Sequence, residues 1–404
     1  MRILTFTTLY PSAARPHFGI FVETRLRHLV ASGHVSARVV APCPWFPFTS
    51  ARFGSYAVFA RIPRSEERHR LSVDHPRYLQ IPKLGMAIAP LLLFASAFVA
   101  LRRQIALGRD FDVIDAHYMY PDGVAAILLG RALSRPVTIT CRGSDINVIS
   151  QYALPRRQIV WAARKAAALV TVSEALRQRL IGLGIPSGKI RVLRNGVDLY
   201  LFRPLNRSEL RAKFDLTGHV LLSVGNLVPL KGQALIITAL QLLPEATLLI
   251  IGSGPLEKSL RERARQSGVA DRVRFITPVA QERLCEYYNV ADVLVLPSEH
   301  EGWPNVLLES MACGTPVLAS NIPSAQEIVG SIDAGRLLPE RSAEAIAASA
   351  RELLASPPER HKTRLYAENF DWQSTTRAQI AMFEEIALGK PSGPPTSRTT
   401  AHSG

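Results

Sequence analysis

Short apolar runs alternate with longer amphipathic stretches along nearly the whole chain, and the alternation starts twice. The first series has strand-like runs at 3–7, 37–41, 111–116, 137–141, 169–172 and 190–193. The second begins after Asn195-Gly196-Val197-Asp198 and Phe202-Arg203-Pro204, with runs at 220–224, 247–251, 273–276, 293–296 and 317–319. Helical patterning fills the gaps, for instance at 20–31, 232–243 and 255–267. Strand–helix alternation predicts a parallel sheet covered on both faces. The restart predicts two doubly wound, Rossmann-like α/β domains joined near residue 200. A length of 404 residues suits two domains. The stretch 44–82 receives no assignment, and the Pro/Ser/Thr/Gly-rich 389–404 is expected to be a disordered tail.

Charge separates the two halves. Residues 1–200 hold 27 Lys+Arg against 11 Asp+Glu, net +16, whereas 201–404 hold 21 against 22, net −1. Such a basic half is either a solvated surface or a face for an anionic partner. No aromatic-interleaved RNA motif, zinc finger or helix-turn-helix pattern supports nucleic acid, so an anionic membrane leaflet is the expected partner. The long apolar run 86–101, with Pro90 inside and Arg102-Arg103 after it, is 16 residues. That falls short of the ~20 needed to span a bilayer, so a buried or interfacial helix is expected. Cys43, Cys141, Cys285 and Cys313 are scattered without a C-x-x-C pair, which suits a reducing compartment and argues against a zinc site. The first residues read as a β-strand and not as a signal peptide. A cytoplasmic protein resting on the inner face of a membrane is the expectation.

In the second half, Glu301-Gly302-Trp303-Pro304-Asn305-Val306-Leu307-Leu308-Glu309 follows the run 293–296 and leads into a helix ending at Gly314. One carboxylate lies on the loop leaving a strand, and the other lies about two helical turns on. Strand-end loops are where open α/β sheets bind ligands, and helix N-termini favour anions. Two acids so placed suit a ligand with two hydroxyl-rich parts around an anion. Two glycine loops lie in the same domain. Gly225-Asn226-Leu227-Val228-Pro229-Leu230-Lys231-Gly232 offers a glycine turn, a cation and a helix start, and is either a phosphate cradle or a plain turn with a surface lysine. Its spacing is not that of a P-loop. Gly252-Ser253-Gly254 either admits a ligand to the backbone or simply makes a tight connection.

In the first half, Gly19 links the first strand to the first helix, within reach of a phosphate or sugar if it is more than a turn. His117 ends one strand and Arg142 follows another. Each has a structural alternative: a core histidine, and an arginine paired with Asp145. Asp110-Phe111-Asp112 precedes a strand, so it reads as solvated acids and no metal site is expected.

Together these residues resemble the family 4 retaining glycosyltransferases of the GT-B fold. The resemblance covers nearly the whole chain and is strongest over about 220–330. It rests on the E-x7-E pair with its surrounding E-G-W-P-N-V-L-L-E-S-M-A-C-G-T-P-V, on N-G-V-D at 195–198, on G-N-L-V-P-L-K-G, and on A-D-V-L-V-L-P-S at 291–298. The start, P-H-F-G-I-F-V-E, is similar to polysaccharide and teichuronic-acid-type members. The resemblance implies two domains facing across a cleft: 1–200 binding acceptor, with a last helix over about 373–388 returning to it, and 201–372 binding the nucleotide-sugar. It implies ribose binding by Glu309, sugar-hydroxyl binding by Glu301, and pyrophosphate neutralisation by Lys231. Backbone at Gly302, Trp303, Pro304, Asn305 and Val306 would hold sugar and phosphate, and backbone near Val279 would read the base. Gly225, Asn226, Gly252 and Gly254 would line the donor site. Gly19 would approach the phosphates, with Arg142 as a further cation, and His117 would lie by the reacting carbon. The family often has Arg where this chain has Asn226, which removes one phosphate cation from that position.

The implied activity is transfer of a sugar from a UDP- or GDP-sugar to a lipid-linked or polysaccharide acceptor, with retention, without metal or cofactor. Retention in the family is explained without a covalent enzyme intermediate, so Glu301 is expected to position substrate. The alternatives are a GT-B nucleotide-sugar epimerase and a non-catalytic nucleotide-sugar-binding scaffold.

Overall fold

The computed structural model describes residues 1–80 and 85–389. The chain divides into two compact units, Met1–Arg194 together with the chain from Thr376, and Asn195–Thr375. Most of the tail expected to be disordered, 390–404, lies outside the described residues.

The first unit contains β1 (Arg2–Phe6), β2 (Ser36–Val40), β3 (Cys43–Pro44), β4 (Ser65–Arg68), β5 (Leu71–Asp74), β6 (Arg77–Tyr78), β7 (Val113–His117), β8 (Val137–Cys141), β9 (Ala168–Thr171) and β10 (Ile190–Val192). Eight of these form one sheet in the order β10-β9-β8-β7-β1-β2-β5-β4, while β3 and β6 pair separately. All neighbours in the large sheet are parallel except β4 and β5. Strands β7, β8 and β9 are buried at every position, as expected of parallel strands covered on both faces. Val22, Leu26 and Leu29 of the helix Ile20–Ala31 pack into this core with Ile380, Met382 and Phe383 of the helix Trp372–Ala387.

The helix Gly85–Ala106 corrects one expectation. It runs 22 residues, because Arg102 and Arg103 continue it. Met86–Ala106 is long and apolar enough to cross a membrane by length and composition alone, and 22% of its most apolar 18-residue stretch is buried. Leu93, Ala97 and Leu101 recur every four residues and are buried. Leu91, Ala95 and Val99 form a second stripe that faces outward.

The second unit contains β11 (His219–Val224), β12 (Ala246–Ile251), β13 (Val273–Ile276), β14 (Val293–Leu296), β15 (Val317–Ser320) and β16 (Gly335–Leu338). They form one parallel sheet in the order β13-β12-β11-β14-β15-β16. The order reverses at β11, whose neighbours are β12 and β14, so the loops leaving β11 and β14 lie at the switch point. The expected helix over 232–243 is broken into Gln233–Ala239 and a 3-10 turn, Leu240–Leu242.

Candidate functional site

The strongest constellation lies in the second unit, on the loops leaving β11, β12, β13 and β14. After β11 the chain turns at Gly225, runs through exposed Asn226, and makes a 3-10 turn, Pro229–Lys231, that ends at left-handed Gly232. After β14 it runs through Ser298 and Glu301 into the helix Asn305–Ala312. The two loops are bonded together: Glu299 N donates to Leu230 O at 2.8 Å. Across that junction Lys231 Nζ meets Glu301 Oε1 at 2.5 Å, and both side chains are half-buried. The Glu301 carbonyl accepts from Ser324 Oγ at 3.1 Å, which fixes the backbone beside Gly302.

The glycines are set by loop packing. A Cβ on Gly252 would lie 1.9 Å from Gly225 O, and one on Gly254 would lie 2.5 Å from Leu227 O. Gly252 also has φ of 156°, a backbone that side-chain-bearing residues avoid. Gly225 N donates to Ile251 O and Gly252 N to Ile276 O, each at 3.0 Å. The loop carrying half-buried Val279 follows Ile276, so it starts at the same edge.

Glu309 lies one helical turn and a residue into Asn305–Ala312. Tyr288 Oη donates to its Oε2 at 2.7 Å. Burial pushes the Glu309 carboxyl up to about 7, and the Tyr288 hydrogen bond opposes that rise. The arrangement holds a carboxyl near its midpoint at neutral pH, able to accept from vicinal hydroxyls. Tyr288 was invisible to sequence reasoning, because an aromatic inside a helical pattern reads as core. Behind this pair, Cys285 Sγ and Cys313 Sγ are 3.7 Å apart.

Trp303 is buried, and its indole N–H donates to Asn195 O at 3.0 Å. Asn195 Nδ2 in turn donates to Asn305 Oδ1 at 3.2 Å. The N-G-V-D segment thus braces the loop containing Gly302, Trp303, Pro304, Asn305 and Val306. The helix Asn305–Ala312 has no side-chain cap at its N-terminus, so its first N–H groups are free of side-chain competition. A second cation missed in the sequence is Arg341, which donates from Nε to Pro297 O at 2.8 Å. Its Nη2 is 3.1 Å from where a Cβ on Gly232 would lie. Its arrival depends on β16, which the sequence pattern did not reveal.

The first unit brings together another set at the C-terminal ends of β1, β7 and β8. His117 is buried, with Nε2 3.0 Å from Asp115 Oδ2 and Nδ1 2.5 Å from Arg142 Nη2. Burial pulls the imidazole down to about 4, against the opposing pull of Asp115, so it is neutral at pH 7. A neutral ring donating to Asp115 accepts from Arg142, so His117 orients the guanidinium. The Arg142 backbone N–H donates to the Asp145 carboxylate, as do those of Met119, Gly143 and Ile146. The Arg142 guanidinium also lies 5.2 Å from the Phe21 ring. Gly19 is left-handed at the start of Ile20–Ala31, and a Cβ there would lie 2.3 Å from Leu9 O. Asp110 pairs with Arg135 and Asp112 with Arg2, both at 2.7–2.8 Å. Among the described residues no group of three or more His, Cys, Asp or Glu is placed to hold a metal ion.

Comparison with known proteins fits these elements. Residues 206–370 match the family described as Glycosyl transferases group 1, and 21–201 match Glycosyltransferase Family 4. The chain is 28% identical to the Bacillus subtilis protein named as the teichuronic acid biosynthesis glycosyltransferase TuaC, over 86% of this chain and 87% of that one. It is 30% identical to a D-inositol 3-phosphate glycosyltransferase of Jonesia denitrificans, over 69% of this chain and 72% of the relative. Among solved structures, sucrose-phosphate synthase from Thermosynechococcus elongatus superposes with TM-score 0.77 at 20% identity, covering 96% and 99% of the two chains. Anabaena Alr3699/HepE in complex with UDP-glucose superposes with TM-score 0.73 at 19% identity, again covering 96% and 99%. With two parallel-sheet α/β units, both family matches and a relative matched over most of its length, the chain belongs to the family 4 glycosyltransferases of the GT-B fold.

Proposed function

We propose that this glycosyltransferase moves a hexosyl group from a UDP- or GDP-sugar to a lipid-linked or polysaccharide acceptor, with retention of configuration and without a metal ion. The observation that carries the proposal is the pairing of Lys231 with Glu301, beside Glu309 held by Tyr288, on the loops at the sheet's switch point. In this reading Glu309 accepts from the ribose hydroxyls and Glu301 from the sugar hydroxyls. Lys231 and the N-terminal N–H groups of Asn305–Ala312 take the diphosphate.

The donor's bond from C1 to the phosphate oxygen breaks with its electron pair leaving on phosphate. The acceptor hydroxyl oxygen bonds to C1 on the same face, and its proton passes to the departing phosphate oxygen. Negative charge grows on the phosphate as this happens, and preorganised cations and N–H dipoles stabilise such charge without reorganising. Lys231 supplies that charge, with Arg341 close by. On the first unit, Arg142, fixed by neutral His117, is a further candidate for an anion. Glu301 is a positioning residue, since it already holds Lys231.

The UDP and UDP-glucose complexes of the Anabaena neighbour make uridine nucleotides the first donors to try. The relatives' names make anionic polyols and cell-envelope glycans the first acceptors. Support for a peripheral, cytoplasmic membrane site comes from the basic residues 1–200 and from the outward stripe Leu91, Ala95 and Val99 ending at Arg102 and Arg103.

A thermal-shift screen of nucleotide-sugars tests the donor reading. A ligand that binds only the folded state at a hundred times its Kd adds about 2.7 kcal/mol. One UDP- or GDP-sugar should raise the Tm, and Glu309→Ala should abolish the rise. Equal shifts in the wild type and the variant would refute the ribose assignment.

A further inference from the structure

A network of buried polar side chains stands behind Arg142 in the first unit, and one of its members comes from the last helix of the chain. Asp115 Oδ2 accepts from His117 Nε2 at 3.0 Å, and its Oδ1 accepts from Thr138 Oγ1 at 2.9 Å. Gln379, in the helix Trp372–Ala387, donates from Nε2 to the same Asp115 Oδ2 at 3.4 Å. Gln379 Oε1 accepts from Arg25 Nε at 2.8 Å, and Arg25 Nη1 donates to Leu193 O at 3.0 Å. Asp115, His117, Gln379 and Arg25 are each 1% exposed. Arg25 lies four residues after Phe21 in the helix Ile20–Ala31, so one helix face meets Gln379 and also carries the ring beside Arg142.

The chemistry of the neighbours sets the Gln379 amide. A guanidinium only donates and an ionised carboxylate only accepts, so Oε1 must face Arg25 and Nε2 must face Asp115. Both neighbours are charged at pH 7. Burial would raise the Asp115 carboxyl, yet His117, the Thr138 bond and Arg25 together hold it below its ordinary value. Burial pulls the Arg25 guanidinium down to about 10, with Asp115 opposing. The amide therefore stands between a buried cation and a buried anion that attract one another strongly at low dielectric. It satisfies each with a neutral partner and leaves Asp115 Oδ2 to His117. Packing alone does not call for this residue. Ile380, Met382 and Phe383 follow it into an apolar core, where a buried amide is costly unless both its ends are bonded.

We infer that Gln379 is a positioning residue for sugar transfer: its amide holds Arg25 apart from Asp115, which keeps Asp115 on His117 and so keeps His117 aiming the Arg142 guanidinium. The last helix is then a working part of the first unit's site and not only a cover for its core. The inference rests on the glycosyltransferase reading above, in which Arg142 is set for an anion. Replacing the amide by an apolar side chain takes the acceptor from Arg25 Nε, and Arg25 turns to Asp115. His117 Nε2 then loses its acceptor, and the ring loses its fixed tautomer.

The test is nitrogen NMR of the full chain labelled with 15N-histidine, the His117 signals being those lost in His117→Gln. The wild type should show one tautomer, protonated at Nε2, and Gln379→Leu should show a mixture of the two. Gln379→Met, closer in shape, should do the same and serves if the leucine variant does not fold. Release of nucleotide from UDP-glucose or GDP-mannose gives the kinetic readout. In either apolar variant kcat should fall about tenfold to a hundredfold with KM within about twofold of wild type, the pattern of a misplaced group that acts in the transition state. Gln379→Glu should restore the tautomer and most of the rate, because an acid sharing one proton with Asp115 can accept from Arg25 and donate to Asp115. A role in packing alone predicts the reverse order, with Leu tolerated and Glu damaging, and that order overturns the inference. Ile380→Val loosens the same helix without touching the network, so it should lower the Tm and leave the His117 signals in place. Equal disturbance of His117 by Ile380→Val, or an unchanged tautomer in Gln379→Leu and Gln379→Met, also overturns the inference. A wild type that binds neither UDP-glucose nor GDP-mannose in the thermal screen counts against the donor reading instead, while the nitrogen signals still decide the place of Gln379.

Discussion

Glu309→Gln should make the protein more stable at alkaline pH while removing its ability to bind donor. Burial holds the Glu309 carboxyl at about 7, against an ordinary value of 4.5. That rise corresponds to about 3.4 kcal/mol, at roughly 1.36 kcal/mol per pH unit. The side chain keeps some exposure, and screening by solvent reduces the figure to about 1–3 kcal/mol. Because the folded value lies above the unfolded one, the folded state keeps a proton that the unfolded chain has released. The wild type therefore has this stability in full below about pH 4.5 and loses it as pH rises through 7. Glutamine keeps the shape, keeps an acceptor for Tyr288 Oη, and never ionises. Urea unfolding followed at several pH values measures the difference. The variant should match the wild type near pH 4.5 and exceed it by about 1–3 kcal/mol at pH 8. A difference that does not change with pH, or a variant less stable at pH 8, would refute the burial argument.

Other perturbations separate the site's parts. Lys231→Met leaves half-buried Glu301 without its cation, and donor affinity measured by calorimetry should fall about tenfold to a hundredfold. Gly252→Ala drives a Cβ to 1.9 Å from Gly225 O, so urea unfolding should show a loss of about 3 kcal/mol or more. A double Leu91→Glu, Val99→Glu change alters two exposed side chains, so stability should move by no more than about 1 kcal/mol. Sedimentation with anionic vesicles should nonetheless fall about a hundredfold, since each buried aliphatic side chain contributes about 1.5–3 kcal/mol. Unchanged sedimentation would exclude that stripe as the contact.

The two sheets were legible because parallel strands buried on both faces are short apolar runs. β8, β13 and β14 coincide with the runs at 137–141, 273–276 and 293–296. The strands that escaped notice lack that signal. β4 is Ser65-Glu66-Glu67-Arg68, an exposed edge strand paired only with β5, and β16 begins at a glycine. The long helix was underestimated because arginines at its end are tolerated on an exposed face, which a hydropathy run cannot show. In the second unit, motif and placement pointed to the same loops, so Glu301 and Glu309 stood out by position, while the Lys231 loop stayed open between cradle and plain turn until the family resemblance gave all three their roles. Their partners could not. Tyr288 and Arg341 reach the site through helix phase and a distant loop, and tertiary packing alone decides both. The structure also assigns work to residues chosen for ligand contact: Trp303 spends its N–H on Asn195, and the glycines at 252 and 254 make room for neighbouring backbone.

The Lys231–Glu301 contact has a consequence for turnover. Before donor arrives, the cation and the carboxylate neutralise one another. An intact donor can replace both halves of that pair at once, with phosphate for Lys231 and sugar hydroxyls for Glu301. The spent nucleotide can replace only one half, and leaves Glu301 without a counter-ion. Glu301→Gln should therefore narrow the gap in affinity between nucleotide-sugar and free nucleotide. In the proposed donor mode these two side chains would act as a return spring, recoiling onto each other once the sugar has gone and helping to eject what is left.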